Sequence, residues 1–173
     1  MKTSPLGWIA VALLIGTVLH ADEPLWTDNY QKAVERAQTE GKALLLDFNG
    51  SDWCGWCIKM RKETLDQPQF KDYAKNNLVL VDVDFPARKP QTQMVKEQNQ
   101  KLKQQYQVQG YPDLILVSKG GRVLDRVDGY MAGGPSAFIA EIQKHYHGAS
   151  GGTGPAASPA DDFDTFFKKP AGS

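Results

Sequence analysis

Apolar positions recur along this chain with two different periods. Residues 43–48, 78–85 and 114–117 are near-continuous apolar runs, the pattern of strands covered on both faces. Tyr30, Ala33, Val34 and Ala37 fall at helical spacing instead, which predicts an amphipathic helix over 28–40 with Asp28 as its N-cap and Gly41 as its stop. Helical patterns over 56–65 and 68–76 lie between the first two apolar runs. Strand, helix, strand in that order predicts a right-handed parallel crossover. Residues 91–109 hold eight glutamines, with Met94, Val95, Leu102 and Tyr106 as a thin apolar stripe; this predicts a surface helix without a binding role. The runs at 114–117 and 122–127 flank Ser118-Lys119-Gly120-Gly121, a hairpin signature. A last helix is expected over 135–147, with Phe138, Ile139, Ile142 and Tyr146 inward and Gly148 ending it.

The two ends differ from this middle. Residues 1–21 carry Lys2, an apolar run from Trp8 to Leu19, and Leu19-His20-Ala21 ahead of a polar stretch. That is the layout of a secretory signal peptide, with a run too short for a membrane span, so the segment is expected to be cleaved or to stay as an anchor. Residues 149–173 are rich in Gly, Ala, Ser and Pro, a composition that favours a disordered low-complexity tail; Asp162-Phe163-Asp164-Thr165-Phe166-Phe167 interrupts it. The expected domain is therefore a single unit over 22–148.

Charge narrows the partners. Acidic and basic residues number 20 each, and removing a leader that holds only Lys2 leaves 19 basic against 20 acidic. A near-neutral chain has no electrostatic footprint for nucleic acid or an anionic membrane surface. Proteins and small thiols are the expected partners.

The chemistry concentrates in Asn49-Gly50-Ser51-Asp52-Trp53-Cys54-Gly55-Trp56-Cys57, which holds both cysteines of the chain as C-x-x-C. An apolar run leads in and a helical pattern leads out, so Cys54 is expected at a helix N-terminus just past a strand end. Unpaired amides and the helix dipole there favour thiolate over thiol, and thiolate is the form that attacks disulfides. Cys57, one turn on, can close a ring with Cys54 and expel a bound partner. The competing readings are a structural disulfide and half of a zinc site. Zinc wants four ligands, and the histidines are His20 in the leader and His145 and His147 at a helix end. Asp47 is expected to be a buried acid, either bonded to a backbone amide or raised in pKa and able to pass a proton. Trp53 and Trp56 are core residues or the frame of a site for an extended chain. Tyr111-Pro112 is an ordinary turn or a cis bond beside the cysteines that presents backbone groups to a peptide.

At three places the sequence resembles the thioredoxin-like superfamily. Asp47-Phe48 followed by Trp53-Cys54-Gly55-Trp56-Cys57 is similar to its strand-end acid and W-C-G-x-C site, Gly110-Tyr111-Pro112 to its cis-proline loop, and Lys119-Gly120-Gly121 with Gly129 to its last hairpin. The resemblance covers about residues 24–147, and the exported leader brings it nearest to bacterial thiol:disulfide interchange proteins. It implies an α/β thioredoxin-like fold with a central mixed β-sheet flanked by helices. It implies Cys54, Cys57 and Asp47 as catalytic residues, and Trp53, Gly55, Trp56, Tyr111 and Pro112 as substrate-binding ones. No cofactor is implied beyond the redox-active Cys54–Cys57 pair. Three departures stand out: one extra residue between Asp47 and Cys54, Lys62 where a helix-kinking proline is usual, and Gly-Trp between the cysteines. The lysine implies a straighter helix. The function expected is a periplasmic or secreted thiol:disulfide oxidoreductase acting on protein thiols and disulfides, a reductase in preference, with an upstream redox partner protein. The alternative is a copper or cytochrome-maturation chaperone that uses the thiols as soft ligands.

Overall fold

The computed structural model describes residues 24–148, so the leader and the tail lie outside the described residues. In chain order the elements are β1 (Trp26–Thr27), α1 (Tyr30–Glu40), β2 (Ala43–Asn49), α2 (Gly55–Met60) continued by a π-helical turn (Arg61–Leu65), α3 (Pro68–Asn77), β3 (Leu78–Asp84), α4 (Gln93–Gln105), β4 (Asp113–Val117), β5 (Val123–Asp128) and α5 (Gly134–His145). The strands form one sheet in the order β1-β3-β2-β4-β5. The left part is parallel, and β4 and β5 run antiparallel. This is the mixed sheet that a parallel crossover followed by a hairpin requires.

Strand parity divides the core. Leu44, Leu46 and Phe48 of β2 pack with Val79, Val81 and Val83 of β3 against α1 and α4. Ala43 and Leu45 pack with Leu78 and Leu80 against Met60, Leu65, Phe70, Phe138 and Ile142 on the other face. Alternation along a strand puts Asp47 and Asp82 on this second face, under the helix that carries the cysteines.

Several local expectations are corrected. Asn29, and not Asp28, caps α1: its side chain accepts the Lys32 amide at 2.9 Å, while the Asp28 carbonyl accepts from Gln98. Gly41 does end α1 as expected, with φ of 70° and its N–H donated to the Ala37 carbonyl, a backbone that a side chain would strain. Met94 is 75% exposed, so the inward stripe of α4 is narrower than its sequence suggests. Polar Asn99 fills part of that stripe, buried and donating to the Asp84 carbonyl at 2.9 Å. The cysteine helix does not run on as regular α-helix. The Asp66 amide reaches the Arg61 carbonyl at 2.7 Å, a five-residue step that widens the turn. The edge strand β1, two residues paired in parallel with Leu80 and Val81, has no counterpart among the expected elements.

Candidate active site

The loop between β2 and α2 is built by short local bonds. Trp53 and Cys54 both donate their amides to the Gly50 carbonyl, at 3.2 and 2.9 Å. Gly50 is required by close approach: a Cβ there would stand 2.4 Å from the Trp53 ring. Ser51 bonds Asp84 through its amide and its hydroxyl. Asp52 accepts the amides of Ala87, Arg88 and Lys89 at 2.8, 2.7 and 3.1 Å, and those bonds hold its carboxyl below the ordinary value. The segment after β3 is thereby tied to the cysteine loop.

Cys54 is the N-cap of α2 and is disulfide-bonded to Cys57. Its sulfur accepts the Cys57 amide at 3.2 Å, so one orphan amide of the helix start points at that sulfur. Cys54 is 6% exposed and Cys57 2%. Both are buried, and Cys54 keeps the slightly wider edge towards solvent.

Around the pair stands an aromatic frame. Trp53 is 51% and Trp56 58% exposed, so neither is a core residue. The Trp53 indole N–H donates to the Phe85 carbonyl at 2.7 Å, and its ring meets Tyr111 edge-on at 5.8 Å. Phe85 and Tyr111 lie against each other at 5.4 Å. On the other side Trp56 stacks on Tyr130 at 5.2 Å, with the Lys59 ammonium 4.7 Å from the Tyr130 ring centre. The Tyr111–Pro112 bond is cis. The Pro112 carbonyl accepts the Gly129 amide at 2.8 Å, which anchors this loop to the chain leaving β5. Gly55 is exposed at the start of α2, with no atom within 4 Å of the place a Cβ would take.

Below the cysteine helix lies a charged cluster. Asp47 is buried and its carboxylate takes the Arg61 Nε–H at 2.7 Å, so its partner is a side chain and not a backbone amide. Arg61 also donates to Asp82 Oδ1 at 2.8 Å, and Asn49 donates to the same oxygen at 2.7 Å. Burial pushes the Asp47 carboxyl up to about 6, with Asp82 and Asp84 adding to the rise and Arg61 opposing it. Burial alone would lower the Arg61 value; Asp47, Asp82 and Asp66 outweigh it and keep the guanidinium charged.

Arg61, Asp82, Trp26 and Tyr130 were not among the residues singled out from sequence. Two signals pointed to the first two: Arg61 lies four residues beyond Cys57, on the same helix face, and Asp82 shares strand parity with the apolar residues of β3.

The family profile described as a thioredoxin-like domain matches residues 30–145. Over 116 residues the chain is 38% identical to the disulfide bond reductase DsbH of Chlamydia pneumoniae, covering 67% of this chain and 69% of that protein. It is 33% identical to the thioredoxin-related protein DsbJ of Chlamydia pneumoniae over 110 residues, which is 64% of this chain but 32% of DsbJ. A solved DsbH oxidoreductase superposes with a TM-score of 0.66 at 35% identity, over 75% of this chain and 93% of that one.

Proposed function

The chain belongs to the thioredoxin-like family and is a thiol:disulfide oxidoreductase, and from that premise we propose that it is an exported reductase of protein disulfides in which Cys54 attacks and Cys57 resolves. The Cys54 thiolate attacks one sulfur of the substrate disulfide. A mixed disulfide forms and the other substrate sulfur leaves as thiolate, which takes up a proton. Cys57 then loses its proton, attacks Cys54 Sγ and breaks the mixed bond. Two electrons have then passed to the substrate, which leaves reduced, and the Cys54–Cys57 disulfide remains. An upstream dithiol protein returns the pair to the reduced form by the reverse exchange.

The observation that carries this assignment is the asymmetry of the pair: Cys54 caps the helix and holds the more open edge, while Cys57 lies inside. Asp47 is the proton acceptor in this reading, since a carboxyl near 6 can take a proton at neutral pH and give it up again. Trp53, Trp56, Tyr111 and Pro112 seat an extended client segment. Reducing direction is favoured by the DsbH relative's designation as a disulfide bond reductase. Export is favoured by the leader-like residues 1–21; no helix among the described residues is long and apolar enough to cross a membrane. The metal-carrier alternative has less support, because the relatives are a disulfide bond reductase and a thioredoxin-related protein.

The test is a pair of trapping variants in the source cell. Cys57→Ser should accumulate mixed disulfides with clients and Cys54→Ser should not, because only the first keeps the attacker while losing the group that releases it. Clients whose mature cysteines are free thiols support a reductase. Clients that mature with disulfides assign the opposite direction, and no trapped species from a reactive Cys54 removes protein disulfides as substrates.

A further inference from the structure

We propose that Arg61 is a positioning residue for the resolving step, holding the Asp47 carboxyl ionised beneath the cysteine helix so that the proton leaving Cys57 has an acceptor. The proposal rests on the reading above that Asp47 takes that proton.

The geometry begins with register. Asp47 and Asp82 are direct partners on adjacent parallel strands, and both point to the face under α2. Asp47 is buried and Asp82 partly exposed beside it, and a buried carboxyl that faces a second acid needs a cation to stay ionised. Arg61 is that cation. It splits its fork, Nε to Asp47 at 2.7 Å and one terminal nitrogen to Asp82 at 2.8 Å. Its own backbone amide bonds the Cys57 carbonyl, so its side chain leaves the helix on the face that carries Cys57. The indole of Trp26 covers the outer side, with the guanidinium carbon 3.9 Å from the ring centre, which limits both the movement of the fork and its access to water. Edge strand β1 brings Trp26 to this place. The other charges facing the cluster are acidic: Asp84 from β3 and Asp66 after the π-helical turn. Opposite Asp47 on the remaining neighbour, β4 presents Leu114.

Cys57 Sγ–H gives its proton to an Asp47 oxygen, and the thiolate attacks Cys54 Sγ. The bond between Cys54 and the substrate sulfur breaks, the Cys54–Cys57 bond forms, and the substrate sulfur leaves with the electron pair. Without Arg61, desolvation and the facing Asp82 leave Asp47 protonated at neutral pH. A neutral carboxyl accepts no proton, so the resolving step waits for higher pH.

The experiment uses the reduced full-length chain and Ellman's reagent as the disulfide. Cys54 attack releases one nitrothiobenzoate in a first phase, and Cys57 releases the second. Stopped-flow traces of both phases are taken across about pH 5 to 9, which spans both thiol and carboxyl titrations. Arg61→Gln should move the midpoint of the second phase up by about one pH unit, which is about a tenfold slower release below that midpoint, and leave the first phase in place. Arg61→Lys should restore most of the shift, and Asp82→Asn should move the midpoint down; these two also decide the matter if the Gln variant does not fold. A second phase in Arg61→Gln that superimposes on the parent, while Asp47→Asn changes it, overturns the role of Arg61 alone. A second phase unchanged in Asp47→Asn as well overturns the acceptor itself and the proposal with it.

Discussion

Asp113 and Asp47 are both buried aspartates on neighbouring strands, and each is held by an arginine, but the stoichiometry differs. Arg126 gives its whole fork to Asp113: Nε donates to Oδ1 at 3.0 Å, one terminal nitrogen donates to Oδ2, and the other reaches the Tyr106 carbonyl at 3.1 Å. One cation meets one anion bidentately, the geometry with the most specific and strongest hydrogen bonding. Arg61 instead serves two carboxylates with one bond each. The first arrangement is complete and fixes the start of β4 just after Pro112. In the second, negative charge exceeds positive, so the protonation state of Asp47 stays within reach of ordinary pH. Burial also pushes the Asp113 carboxyl above the ordinary value, with Asp128 adding to the rise and Arg126 opposing it; what sets the two sites apart is how many bonds the arginine gives to the buried acid.

The largest effect should come from breaking the clamp. Arg126→Ala leaves Asp113 buried without its partner and should cost about 3 kcal/mol in urea unfolding, at the low end for a buried pair because the guanidinium is partly solvated. The pH dependence of thiol exchange in the folded variant should remain that of the parent. A loss below about 0.5 kcal/mol, the level of an ordinary surface pair, would erase the distinction between the two arrangements.

A smaller effect should separate Asp47 by its pH dependence. Its folded value, about 6, lies above its unfolded value of 3.8, so folding favours the protonated form. The associated stability is whole below about pH 4 and is lost as pH rises through about 6. Asp47→Asn removes this loss. Relative to the parent, the variant should gain about 2 kcal/mol between about pH 4 and pH 7, read as the widening gap between their urea midpoints. Parallel curves would remove Asp47 from the groups that couple folding to pH.

Much of the sheet was legible because its strands are continuous apolar runs. Residues 43–48, 78–85 and 114–117 have no competing helical period, and the observed β2, β3 and β4 fall on them within one residue. The cysteine site was legible for a different reason: a C-x-x-C at a strand-to-helix junction has few structural alternatives. Strand β1 escaped because two residues carry no period, and its pairing with β3 is a tertiary fact. The Asn29 cap escaped because two adjacent residues, Asp28 and Asn29, have equal capping chemistry and only the backbone decides between them. The widened turn at Arg61–Leu65 ran against the straight helix implied by Lys62; absence of proline does not prevent an extra residue from entering a turn. Arg61 reads as a solvated charge among Lys59, Lys62 and Glu63 unless its spacing from Cys57 is followed, and the strand pairing then sets two carboxylates side by side under it.

The division of labour between the two cysteines is tested most directly by alkylating the reduced full-length chain with limiting iodoacetamide over a range of pH and mapping the label by mass. Cys54 should be labelled first, with a rate midpoint within the range of about 3.5 to 7.5 known for thiols at helix starts in this motif. Labelling of Cys57 ahead of Cys54, or a Cys54 midpoint near the free-thiol value of about 8.5, would contradict the account.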